Sequence, residues 1–178
     1  GYKHTPFALL SDELAQRTIT FHAASKTFNL AGLATSTAII ANPELRTTYN
    51  TYLHALEADL GNIFGKAATQ TAMNQGDDWL AQLLEYVQGN VDYVSDFLRI
   101  NLPKIKFFKP EATYMMWLDF SAYGCSEEEN WRKLTQQARL GLNRGNDFGT
   151  DGSNHFRINL ACPRATVMEA MRRLKETF

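Results

Sequence analysis

Ser25-Lys26-Thr27-Phe28-Asn29-Leu30-Ala31-Gly32 lies between two segments of strand character. Upstream, Arg17 to Ala24 alternates Ile19, Phe21 and Ala23 against Thr18, Thr20 and His22, the period of a half-buried strand. Downstream, Leu33-Ala34-Thr35-Ser36-Thr37-Ala38-Ile39-Ile40 is small and β-branched and predicts a second strand. The spacing puts Lys26 in a short loop just past a strand. A parallel crossover needs about a dozen residues or more, so these strands are antiparallel if they pair with each other. A lysine at a strand exit stands where α/β sheets usually bind ligands, and its amine there is a candidate Schiff-base nucleophile. A solvated lysine in a surface loop is the other reading of the same spacing. Gly32 lets the backbone turn or approach a ligand closely.

The chain has 178 residues, 44% hydrophobic and 21% charged, which suits a globular protein of one domain or pieces of two. A net charge of −1 gives no global attraction to nucleic acid or to an anionic membrane, and nothing resembles a nucleic-acid module. No apolar run approaches the roughly 18 residues of a membrane span. Cys125 and Cys162 make neither a disulfide framework nor a metal spacing, and read as buried reduced thiols of a cytoplasmic protein. His4, His22, His54 and His155 show no ligand spacing, so no metal is expected.

In chain order, Ser11 caps a short turn over residues 11–16, and Asn42-Pro43 opens a helix ending near Gly61. Phe64 to Met73 reads as a loop entering a helix of small residues, which suit either a site edge or subunit contact, or tight core packing. From Asp77, Trp79, Leu80, Leu83, Leu84, Val87, Val91, Val94, Phe97 and Leu98 keep the 3.6 period of one long helix, with Gly89-Asn90 as a possible bend. Short strands are expected at Ile105–Phe108 and Thr113–Phe120, the second apolar on both faces and central. Ser126 with Glu129, and Thr166 with Glu169, read as capping boxes, the first opening a helix to about Leu140. Asn143 to Asn154 reads as loop. His155 to Leu160 reads as a strand, with Phe156, Ile158 and Leu160 opposite His155, Arg157 and Asn159. On this pattern Arg157 either faces a ligand, where a guanidinium binds a carboxylate bidentately, or lies on the surface of an edge strand.

Three separated segments carry a resemblance. Thr18-Ile19-Thr20-Phe21 followed by the Lys26 stretch, His4-Thr5-Pro6-Phe7, and Phe156-Arg157-Ile158-Asn159-Leu160-Ala161-Cys162-Pro163 together resemble fold type I pyridoxal-phosphate enzymes. Within the class I/II aminotransferase family they are most similar to the cystathionine β-lyase-like group, which includes bacterial C–S lyases. The likeness runs over nearly the whole chain. It implies an α/β plus α+β fold: residues 1–76 as the C-terminal part of the large cofactor-binding domain, with the end of its sheet and the cofactor lysine, then a long linking helix and residues 77–178 as the small C-terminal domain.

The resemblance implies that Lys26 carries pyridoxal 5′-phosphate covalently and acts as the catalytic base, and that Arg157 binds the substrate α-carboxylate. Ser25 either donates to the cofactor phosphate or caps the following turn. Eight residues after the lysine, where many aminotransferases have an arginine for the phosphate, stands Ala34, a departure that suits the lyase-like group. The expected function is a C–S β-lyase converting cystathionine or cysteine S-conjugates to thiol, pyruvate and ammonia. The alternatives are an aminotransferase using the same lysine and arginine, and a non-catalytic or regulatory binding protein. A homodimer is implied. The match is to the C-terminal half of such enzymes, so Gly1 falls in mid-domain, and the phosphate loop, the aromatic that stacks on the ring and the aspartate at its nitrogen are expected before it. On that reading the chain is a fragment, inactive alone.

Overall fold

The structure, a computed structural model, describes residues 3–178 and, of Thr150, the backbone alone. The expectation attached to Gly1, and the first two residues of the 1–76 region, lie outside the described residues. The chain divides into two compact units, one ending at Gln82 and the other Leu83–Phe178.

In the first unit, Ser11 caps helix α1 (Asp12–Gln16) by accepting from the Leu14 N–H, and Asp12 and Glu13 sit at its positive end. Strand β1 (Thr20–His22) leads into α2 (Ala24–Thr27), a single helical turn. After the connecting loop comes β2 (Thr37–Ile39), then α3 (Pro43–Ala55) and α4 (Ile63–Gln75). β1 and β2 pair antiparallel, with Phe21 opposite Ala38, as the short connection requires. Both strands are shorter than the alternation suggested. The chain leaves extended geometry after Ala23, the N-cap of α2, and a 3-10 turn at Ala31–Leu33 occupies the start of the expected second strand. α3 opens on Asn42, whose side chain accepts from the Glu44 and Leu45 N–H groups, with Pro43 at the first helical position. α4 begins at Ile63, so the segment expected to enter it as a loop is already helical.

Helix α5 (Asp77–Asn101) begins in the first unit and continues into the second without a break at Gly89-Asn90. The second unit then adds β3 (Lys106–Phe107), β4 (Met115–Asp119), α6 (Glu127–Arg132), β5 (Asn143–Arg144), β6 (His155–Asn159) and α7 (Arg164–Thr177). The four strands form one antiparallel sheet in the order β3-β4-β6-β5. Its covered face carries Met116, Leu118, Phe156 and Ile158. These form one core with Val91, Val94 and Leu98 of α5 and Val167, Met171 and Leu174 of α7. Burial of this apolar surface at roughly 25 cal/mol per Å² is the main stabilising term.

Two expected features are corrected. The Ser126–Glu129 capping box is present, but α6 passes into a π-turn at Lys133–Gln137 instead of running on to Leu140. The Thr166–Glu169 box is absent: α7 starts at Arg164 with Pro163 as N-cap, and Glu169 binds Arg172 and Arg173. Among the described residues no helix is long and apolar enough to cross a membrane.

Candidate functional site

In the first unit, Lys26 stands on α2, in a helical turn and not in the loop that its spacing suggested. One backbone bond, from the Phe28 N–H to the Ala24 carbonyl at 2.9 Å, closes that turn, and the Leu30 N–H returns to the Ser25 carbonyl at 3.0 Å. Ala24 is buried and anchors the turn, while the Lys26 side chain is exposed. Among the described residues no hydrogen bond or ion pair engages its Nζ. Phe28 stacks on Trp79 with centroids 5.8 Å apart, which fixes the exit from the turn.

The chain is then turned by Asn29 and Ala34, both in the left-handed region at φ 55° and 47°. Gly32, expected to make that turn or approach a ligand, has a negative φ and open space around its α-carbon. The loop is pinned where Asn62 Nδ2 donates to the Leu33 carbonyl at 3.1 Å. There Gly65 of α4 lies so close that a Cβ would be 1.9 Å from Thr35 Oγ1. The small residues of α4 therefore serve close packing at this position.

Ser25 is half-buried and does not cap the turn. The N-cap is Ala23, which makes no side-chain cap bond. Of the two readings of Ser25, capping is excluded, and among the described residues its hydroxyl has no hydrogen-bond partner. An unpaired amine beside an available hydroxyl on one helical turn fits a carbonyl compound carrying a phosphate.

In the second unit, Arg157 lies on β6, which sits between β4 and β5 and so is not an edge strand. Phe156 and Ile158 face the core, and the alternation puts Arg157 on the opposite face. There it stands across from Trp117 on one side and Asn143 on the other. Its Nη2 donates to Asn143 Oδ1 at 3.2 Å, and its Cζ is 4.3 Å from the centroid of the Phe148 ring. Its Nε is buried and has no partner among the described residues. Among the described residues no carboxylate pairs with this guanidinium, whereas Arg144 is paired with Glu127 and Glu128 and Arg172 with Glu169 and Glu176. Trp117 meets Phe148 at right angles, with centroids 5.5 Å apart.

Phe108, Trp117, Phe148 and His155 line a cavity of about 460 Å³ on this open face. Asp119 lines a neighbouring cavity with Trp117 and His155, and there burial pushes its carboxyl up. Bonds from Ser121, with His155 and Lys106 nearby, outweigh that and hold it below its ordinary value. Asn143, Phe148 and Trp117 were not singled out from the sequence. Asn143 was read as loop because β5 is two residues long, too short for alternation to show.

Cys125 and Cys162 are free but only partly buried, not buried as expected, and desolvation raises the Cys162 thiol above its ordinary value. Lys26 and Ser25 belong to the first unit and Arg157 to the second.

Comparison with known proteins gives these features a context. The chain is 39% identical over 175 residues to the cystathionine β-lyase PatB of Bacillus subtilis, covering 98% of this chain and 45% of PatB. The crystal structure of cystalysin from Treponema denticola, which contains pyridoxal 5′-phosphate, superposes with a TM-score of 0.94 at 33% identity, over 99% of this chain and 45% of that one. The pyridoxal-phosphate-bound C–S lyase of Staphylococcus hominis gives a TM-score of 0.79 at 32% identity, over 91% of this chain and 42% of that one. No protein-family model matches. In fold and sequence the chain matches the C-terminal half of fold type I pyridoxal-phosphate enzymes. Within that class its sequence is similar to the C-terminal half of the cystathionine β-lyase-like group. It spans about 45% of the length of the curated relatives it matches.

Proposed function

We propose that the whole protein is a pyridoxal-phosphate-dependent C–S β-lyase that converts cystathionine, or a related cysteine S-conjugate, and water to a thiol, pyruvate and ammonia. The observation that carries this reading is the half-buried Arg157, held by Asn143 and Phe148 with, among the described residues, no carboxylate upon it. Such a group is built to take an anion from outside, and a guanidinium binds a carboxylate through two parallel bonds.

Pyridoxal phosphate, when bound, supplies an aldehyde for covalent attachment and a conjugated ring that withdraws electrons from the substrate Cα. Lys26 Nζ would hold that aldehyde, and the Ser25 hydroxyl would donate to the phosphate. Lys26 Nζ would also be the base that takes the proton from the substrate Cα. Arg157 would grip the α-carboxylate of the amino acid. The sulfur then leaves Cβ as a thiolate. We place the boundary between the cofactor-binding part and the small domain near Gly76.

The protein would act as a cytoplasmic homodimer. Free thiols support a reducing compartment, and exposed Leu60 ahead of α4, with Ile63 and Phe64 at its start, supports a subunit contact.

Product analysis of the full-length protein with cystathionine and pyridoxal phosphate tests the reading. Pyruvate with homocysteine is expected. A keto acid that retains the sulfur would make the protein an aminotransferase instead, and no product would return it to the non-catalytic class.

A further inference from the structure

Phe148 sits in a loop whose ends are pressed together by two glycines. A Cβ at Gly145 would lie 2.1 Å from the Gly152 carbonyl oxygen, and one at Gly152 would lie 2.1 Å from the Gly145 carbonyl carbon. Only glycine fits at either position, so the base of the loop is closed by backbone contact. Gly145–Phe148 forms a 3-10 turn, and Gly149, at φ 150°, turns the chain back directly after the ring. The ring is thus held against β6 by the backbone on one side and by Trp117 on the other.

The guanidinium of Arg157 is the group this ring meets. A separation of 4.3 Å is well inside the distance at which a ring face attracts a cation. Asn143, directly across from Arg157 on β5, takes Nη2. An arginine side chain is long and samples many rotamers, and ordering it at the moment of binding weakens affinity. Here two neighbours order it beforehand, and neither of them is an anion that a ligand would have to displace.

We infer that Phe148 is a positioning residue for substrate recognition: its ring holds the Arg157 guanidinium ready for an α-carboxylate. It therefore raises affinity for α-amino acids as a class, independent of what the sulfur carries. The inference rests on Arg157 being the carboxylate anchor. Phe148 is 51% exposed, so its replacement leaves the core intact.

Phe148→Leu in the full-length protein keeps an apolar side chain and removes the ring face. It should raise KM for amino-acid substrates about tenfold with kcat within about twofold, while Phe148→Tyr, which keeps the face, stays near wild type in both. A readout independent of turnover is the Kd of 3-(methylthio)propionate, a carboxylate without the amine, measured by calorimetry. It should rise by the same factor in Phe148→Leu and not in Phe148→Tyr. If the uncharged 3-(methylthio)propanamide loses as much affinity, the ring is an apolar wall and the inference is overturned. Arg157→Lys separates this from the reading beneath it. An unchanged KM there removes the carboxylate anchor itself, whereas a raised KM there with wild-type values in Phe148→Leu removes only the positioning role.

Discussion

Asn90, fully buried in the middle of α5, donates from Nδ2 to the Leu160 carbonyl at 2.8 Å, just past the end of the strand that carries Arg157. The same nitrogen reaches the Cys162 carbonyl at 3.0 Å, and Oδ1 accepts from Arg164 Nε at 2.7 Å. One amide therefore satisfies two backbone carbonyls that leave the sheet and one cation at the start of α7. This is why a polar residue is tolerated where the helix faces the core.

Asn90→Ala should leave those carbonyls and the guanidinium without partners. Each unsatisfied buried group costs about 1–3 kcal/mol, so a loss of about 3 kcal/mol is expected. The midpoint of urea unfolding, followed by far-ultraviolet circular dichroism, would show it. A change below about 0.5 kcal/mol would mean that water replaces the amide at no cost.

Gly145→Ala should destabilise by about 2 kcal/mol or more, because its Cβ meets backbone that has no side chain to swing away. Gly141→Ala is the control, since nothing lies within 4 Å of a Cβ there and its φ is not positive. Equal unfolding midpoints for the two variants would refute the closed base of the Phe148 loop.

Glu169 should titrate far below its ordinary value of 4.5. Bonds from Arg172 and then Arg173 hold its carboxyl down to about 2. A depressed carboxylate contributes stability that is present above its ordinary value and lost as pH falls from about 4.5 through about 2. The three side chains are well exposed, so added salt should weaken the effect. Carbon-detected NMR titration of the Glu169 carboxyl at low and high salt would follow both. A midpoint near 4.5 at low salt would mean that the arginines do not engage it in solution.

Long periods were legible in the sequence and single turns were not. The apolar series of α5 spans the whole helix, so its 3.6 period stands out against any one polar residue, and Asn90 did not interrupt it. The antiparallel pairing of β1 and β2 followed from the short connection, since chain length leaves no other arrangement. α2 is held by one backbone bond over four residues, too short for any periodicity, so Lys26 was placed in a loop. Thr166 and Glu169 match a capping box in spacing, yet competing partners win. The Pro163 carbonyl takes the Thr166 and Val167 N–H groups, and the Arg164 N–H goes to the Tyr86 hydroxyl at 2.7 Å. The alternation of β6 gave the facing of Arg157, but what lies over it depends on the Gly145–Gly152 contact, which no local pattern announces.

Lys26 should be the residue that holds pyridoxal phosphate in the full-length protein. Borohydride reduction of the full-length protein loaded with the cofactor fixes the attachment as a stable amine, and peptide mass mapping then locates it. The label should fall on the peptide containing Lys26 and vanish in Lys26→Ala. A label on any other lysine, or one that persists in Lys26→Ala, would contradict the account.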